Sequence, residues 1–78
     1  MKSQAVFYHA GCPVCVAAEH QVLELIDRNK VNVDVVHLGE AKNRLAAAKA
    51  VGVKSVPALV VDGQVLHINF GAAIEALE

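Results

Sequence analysis

An α/β domain with the element order β-α-β-α-β-β-α, built on a four-stranded mixed sheet with helices on both faces, is the fold class this sequence predicts. Three observations lead there. Apolar, β-branched runs alternate with segments whose apolar residues recur at helical spacing. Glycines at positions 11, 39 and 52 fall between those segments. An Asp62-Gly63 pair between two apolar runs is a two-residue hairpin signal, so the last two strands pair antiparallel. The first strand–helix–strand unit forms a right-handed parallel crossover.

Residues 5–8 are a short apolar and aromatic run bounded by Gly11 and read as a buried strand. Pro13 suits the first position of a helix, where a missing N–H costs nothing. From there to about residue 29, Cys15, Ala18, Val22, Leu25 and Ile26 recur at helical spacing, and Glu19, His20, Gln21, Glu24 and Asp27 fall mainly on the other side. Residues 31–38 carry Val31, Val33, Val35 and Val36, which is strand character, and Gly39 ends them. Residues 40–51 are rich in Ala and read as a second helix, with Gly52 as its left-handed cap. Residues 56–61 form the third strand, residues 64–68 the fourth, and residues 71–77 a last short helix.

Seventy-eight residues make one domain, spanning 1–78, because a second would have no room for its own core. Its 55% hydrophobic content comes mostly from Ala and Val, which suits a core of small side chains. A net charge of −1, with no basic cluster, argues against a nucleic-acid or anionic-membrane surface. The chain opens directly into a strand and has no apolar run long enough to cross a bilayer. A cytoplasmic monomer is expected.

Cys12 and Cys15 are the only cysteines, two residues apart, where the first strand pattern gives way to the first helix. Closing so short a loop removes little chain entropy, so the pair serves reactivity or a ligand rather than stability. At the helix start, unpaired N–H groups and the positive dipole end favour a thiolate. Cys12 is therefore the expected nucleophile, with a lowered pKa and partial exposure. Cys15, one turn inside, is the expected resolving thiol. A zinc site normally takes four ligands. His9 and His20 could join the cysteines, but His20 lies five residues beyond Cys15 and points round the helix. No metal is expected. His9, three residues before Cys12, is a candidate for stabilising the thiolate as the cation, which would make reactivity pH-dependent near neutrality. On the other reading it is an exposed strand-end residue. His20, His37 and His67 show no partner pattern and are read as surface or edge residues.

His9-Ala10-Gly11-Cys12-Pro13-Val14-Cys15 after the first strand, and Val53-Lys54-Ser55-Val56-Pro57-Ala58 leading into Asp62-Gly63, resemble the thioredoxin-like superfamily over almost the whole chain. Within it the small glutaredoxin-type proteins are the most similar. The resemblance implies a cis peptide bond before Pro57, packed beside the cysteines, with the backbone of Val56 open to pair with an extended substrate segment. It makes Pro13, Val14, Val56 and Pro57 substrate-binding residues, and Phe70 either core filling or the apolar wall of the substrate groove. The chain departs from the pattern at Val6, where thioredoxins carry a buried acid, and at Val14, where glutaredoxins carry Tyr or Phe. Asn69-Phe70-Gly71-Ala72-Ala73 keeps half of the glycine pair with which glutaredoxins hold glutathione, without the polar anchor.

The activity so implied is thiol–disulfide exchange that reduces protein or small-molecule disulfides. The redox-active group is the Cys12–Cys15 disulfide itself, with no resident cofactor. A reductase of the thioredoxin-reductase type, or glutathione as co-substrate, would restore the dithiol. The competing function is a redox-sensing or metal-carrying binding module of the same fold, without turnover.

Overall fold

A computed structural model of the chain describes residues 3–27 and 29–77, with the side chains of Asn69 and Phe70 left aside. Its elements are β1 (Ser3–His9), α1 (Pro13–Leu25), β2 (Val31–His37), a 3-10 turn (Lys42–Arg44), α2 (Leu45–Val51), β3 (Ser55–Val61), β4 (Gln64–Ala73) and a closing 3-10 turn (Ile74–Leu77). The strands lie in the order β2-β1-β3-β4. β1 pairs in parallel with β2 from Ser3↔Val31 to His9↔His37, and antiparallel with β3 from Ala5↔Val61 to Tyr8↔Ala58. The four-stranded mixed sheet is as expected. None of the described helices is long and apolar enough to cross a membrane.

Period-two alternation splits the core between the two faces of the sheet. Ala5, Phe7 and Leu59 point to one face, where Ala18 and Val22 of α1 cover them. Tyr8, Val36, Ala58 and Val60 point to the other, against Leu45 and Ala48 of α2 and Ile74 of the closing turn. Phe7 has no exposed surface, and burying a side chain of that size stabilises the fold by about 1.5–3 kcal/mol.

Three boundaries differ from the sequence expectation by more than two residues, each for a physical reason. First, α1 ends at Leu25 rather than near residue 29, and Ile26 is extended. Asp27 accepts the Asn29 N–H on its own Oδ1 and the N–H groups of Lys30 and Val31 on its carbonyl, an Asx-type turn that competes with the helix. Second, the second helix starts late. Ala41 and Arg44, at the two starting positions, make no side-chain cap, so the chain tightens through a 3-10 turn before α2 begins. Gly52 (φ 104°) then caps α2 as expected.

Third, residues 71–77 do not form a helix. β4 runs on through Ala73, because Ala72 and Ala73 pair with Val56 and Ser55, and only one 3-10 turn remains. Sheet pairing here overrides the helix propensity of alanine. Between its two paired parts β4 jumps register, from Ala58↔His67 to Val56↔Ala72, so residues 68–71 stand opposite Pro57 alone. Pro57 has no N–H to offer the ladder.

Candidate active site

β1 ends at His9, and the chain turns through Gly11 (φ 77°) into α1. Cys12 is the N-cap residue of α1, with extended backbone (φ −71°, ψ 160°), and Pro13 opens the helix. The cap side chain is a sulfur. Cys12 Sγ accepts the backbone N–H of Cys15 at 3.1 Å, and the Cys12 carbonyl accepts from Val16 at 2.9 Å. One of the orphan N–H groups of the helix start is therefore spent on this sulfur, an interaction that strengthens when the sulfur carries negative charge.

Both cysteines are free thiols. Cys12 is partly exposed, whereas Cys15 is 0% exposed and sits in the core with Tyr8, Val56 and Ile74. Burial pushes the Cys15 thiol above its ordinary pKa, and its hydrogen bond with Cys12 adds to the rise. Two chemically identical residues are thus made unequal, with one sulfur at the surface under an N–H and the other kept protonated behind it.

Beneath the sulfurs lies the irregular stretch of β3 and β4. The Val56–Pro57 peptide bond is cis. Val56 is 0% exposed, backbone included, and Pro57 is buried beside it, so neither is open in the way the resemblance implies, while Pro13 and Val14 stand exposed at the rim. β1 pairs with β3 no further than Tyr8↔Ala58, which leaves the β1 side of Val56 without a strand partner.

Gly71 closes the floor. A Cβ there would lie 2.5 Å from Cys12 Sγ, 2.9 Å from the Val56 carbonyl oxygen and 3.2 Å from Cys15 Sγ. Only a residue without a side chain fits so close to both sulfurs. The sequence marked Gly71 as half of a glutathione motif but did not reveal this position, which depends on the four-residue jump in β4. The expectation for Phe70 lies outside the described side chains.

His9 departs from both of its expected roles. It is 8% exposed, so it is no exposed strand-end residue. Its Nδ1 accepts the Gly11 N–H at 3.2 Å, and its Nε2 faces Glu19 Oε1 on α1 at 3.5 Å. Burial lowers its pKa below the ordinary 6.5, and His37 lowers it further, against the pull of Glu19 and Glu40. A cationic His9 supporting the thiolate at neutral pH is therefore not what the fold builds. The neutral form is favoured, and both ring nitrogens are engaged elsewhere.

His20 and His67 are exposed, as expected, and His37 is intermediate. Two of these three nevertheless have backbone partners: His37 Nδ1 accepts from Gly39 at 3.1 Å, and His67 Nε2 accepts from Lys54 at 3.1 Å. Among the described residues no three His, Cys, Asp or Glu side chains gather to hold a metal ion. A shallow hollow lined by Leu59, Val61, Asp62, Gln64 and Leu66 lies at the hairpin end of the sheet and plays no part in the cysteine site.

A family model described as a thioredoxin domain matches residues 2–73. An uncharacterized 9.0 kDa protein in the mobE 3′ region of Acidithiobacillus ferrooxidans is 31% identical over 77 residues, which cover 95% of this chain and 85% of that protein. The solution NMR structure of the dimeric thioredoxin-like protein NE0084 from Nitrosomonas europea is similar at 60% identity and a TM-score of 0.91, covering 99% of this chain and 96% of that one. That relative is described as dimeric, which does not fit the expectation of a monomer here.

Proposed function

Because the chain belongs to the thioredoxin-like superfamily, we propose that it is a dithiol oxidoreductase that reduces disulfides in protein or small-molecule partners. The observation that carries this reading is the N–H of Cys15 aimed at Cys12 Sγ at 3.1 Å while the Cys15 thiol is held buried and protonated behind it.

The Cys12 thiolate attacks one sulfur of a substrate disulfide. A Cys12–substrate disulfide forms, the substrate's S–S bond breaks, and the departing thiolate takes a proton. Cys15 then loses its proton to solvent or to the departing thiolate and attacks the Cys12 sulfur. The second substrate thiol leaves, and the Cys12–Cys15 disulfide remains. Two electrons have passed from the protein to the substrate. A flavin-dependent reductase or two molecules of glutathione return the pair to the dithiol, and the missing polar anchor after Gly71 favours the reductase.

Pro13 and Val14 form the rim against which the substrate lies, and the Val56 backbone becomes a strand-like partner for it only once the groups covering it move aside. Pro57 keeps a competing N–H away from that position. The dimeric relative at 60% identity supports association of two copies of this chain, which sedimentation of the purified protein would read directly.

Insulin reduction with dithiothreitol as donor tests the reading. Turnover above the dithiothreitol background should vanish in Cys12→Ser. Cys15→Ser should instead accumulate a mixed disulfide, visible by mass spectrometry. A wild-type protein without turnover would replace the enzyme by a binding module.

A further inference from the structure

We propose that His9, as the neutral imidazole, is a positioning residue that sets the turn carrying Cys12, so that the reactivity of this thiol falls when the ring takes a second proton. The proposal rests on the reading of Cys12 as the attacking thiol and adds a residue that acts on it through Gly11.

Alternate residues of β1 face the same way, so His9 follows Ala5 and Phe7 onto the α1 side of the sheet, its ring stacked on Phe7 at 5.9 Å. There it meets Glu19, one turn beyond Cys15 on α1, at 3.5 Å. The parallel register places His37 directly beside it, with ring centres 4.8 Å apart. His9 Nδ1 accepts the Gly11 N–H, so its lone pair is there and its proton is on Nε2, toward Glu19. One buried ring thereby ties β1, the turn before Cys12 and the body of α1 together.

The turn has no slack on its other side. A Cβ at Gly11 would lie 2.6 Å from His37 Nε2, so the Gly11 backbone is wedged between two imidazoles. A proton added to His9 Nδ1 removes the acceptor from Gly11 and sets two N–H groups against each other. The groups facing the ring are Glu19 from α1, His37 from β2 and Glu40 from the turn after β2. The two carboxylates favour the cation, while His37 and burial oppose it, and burial is the largest influence. The neutral, Gly11-accepting ring is therefore the working form near neutrality, and acid releases the turn.

The test is the rate of Cys12 alkylation by iodoacetamide, read by mass spectrometry of the Cys12 peptide from about pH 5 to about pH 9, a range that spans histidine titration. It is paired with the Gly11 amide signal in NMR spectra across the same range. In the wild type the rate should fall on acidification about three- to tenfold further than in His9→Asn, the extra fall starting where the Gly11 amide shifts. His9→Asn places Oδ1 near the position of Nδ1 and accepts without titrating. It should stay within about twofold of the wild type above neutrality and lose the extra fall. His9→Leu removes the acceptor and should slow alkylation by about three- to tenfold at every pH, the range one hydrogen bond supports.

A wild-type rate that falls no further on acidification than that of His9→Asn overturns the proposal. So does a Gly11 amide that does not titrate with the ring. Should His9→Leu fail to fold, His9→Asn and the Gly11 amide still decide. Alkylation reads the thiol directly. An intact extra fall without insulin reduction removes the oxidoreductase reading and leaves the role of His9 standing, whereas insulin reduction without the extra fall removes the role of His9 alone.

Discussion

From Ala58 to Val61, β3 pairs residue for residue with β4, and the ladder closes through Asp62 (φ 50°) and Gly63 (φ 81°) in a two-residue turn. At its other end the same strand carries a cis proline, faces four unpaired positions of β4 and meets two cysteines. At the hairpin end the backbone satisfies itself. At the cysteine end side chains take over: Cys12 Sγ accepts from Cys15, His9 from Gly11 and His67 from Lys54. The lesson is that backbone groups left without a ladder or helix partner are met by side chains at this end, and one of those side chains is the exposed thiol.

The strongest way to break this contrast is to add one methyl group at each end. Gly71→Ala puts a Cβ 2.5 Å from Cys12 Sγ and 2.9 Å from the Val56 carbonyl, so the sulfur and the strand must move apart. A displacement of that kind should lower kcat/KM for insulin reduction by about a hundredfold. Gly63→Ala meets nothing within 4 Å, and its only penalty is the left-handed backbone at φ 81°. It should cost about 1–2 kcal/mol of stability, read as a lower Tm, with insulin reduction unchanged. Wild-type activity in Gly71→Ala would show that the close approach does not matter.

A smaller effect sharpens the acid side of the comparison. The folded protein holds the His9 pKa below 6.5, mainly by burial. As pH falls, the unfolded chain takes up the proton first. The stability linked to this ring is therefore complete above about pH 6.5, declines as pH drops toward the folded pKa, and is gone below it. Thermal melts of His9→Asn should lack this share of the acid decline, and an identical decline in both proteins would assign it to other groups.

The smallest effect belongs to His67. Its ring is exposed, so water can replace it as acceptor for the Lys54 N–H. His67→Ala should change stability by less than about 0.5 kcal/mol in urea melts. A larger loss would mean that the entry to β3 depends on this ring.

The elements that could be read from residues alone are those whose cause is local. Asp62-Gly63, the Gly52 cap and Pro13 at the helix start each act within a few residues, and each is in its expected place. Cys12 and Cys15 were legible for the same reason, because one helical turn sets their relation. Residues 71–73 are strand rather than the expected helix. Their alanines favour a helix until Ser55 and Val56, distant in the chain, offer a strand to pair with. The place of His9 is not legible in the sequence, because nothing near it announces that the β1–β2 register brings His37 to its side, or that α1 crosses back with Glu19.

By itself, then, the chain determined its α/β class, the alternation of its two core faces and the pair of thiols at a helix mouth, since hydrophobic periodicity and turn chemistry are short-range. Only the folded assembly decided that Gly71 lies against both sulfurs and that His9 is an acceptor rather than a cation. Those outcomes depend on burial and register, which exist only once distant segments have packed.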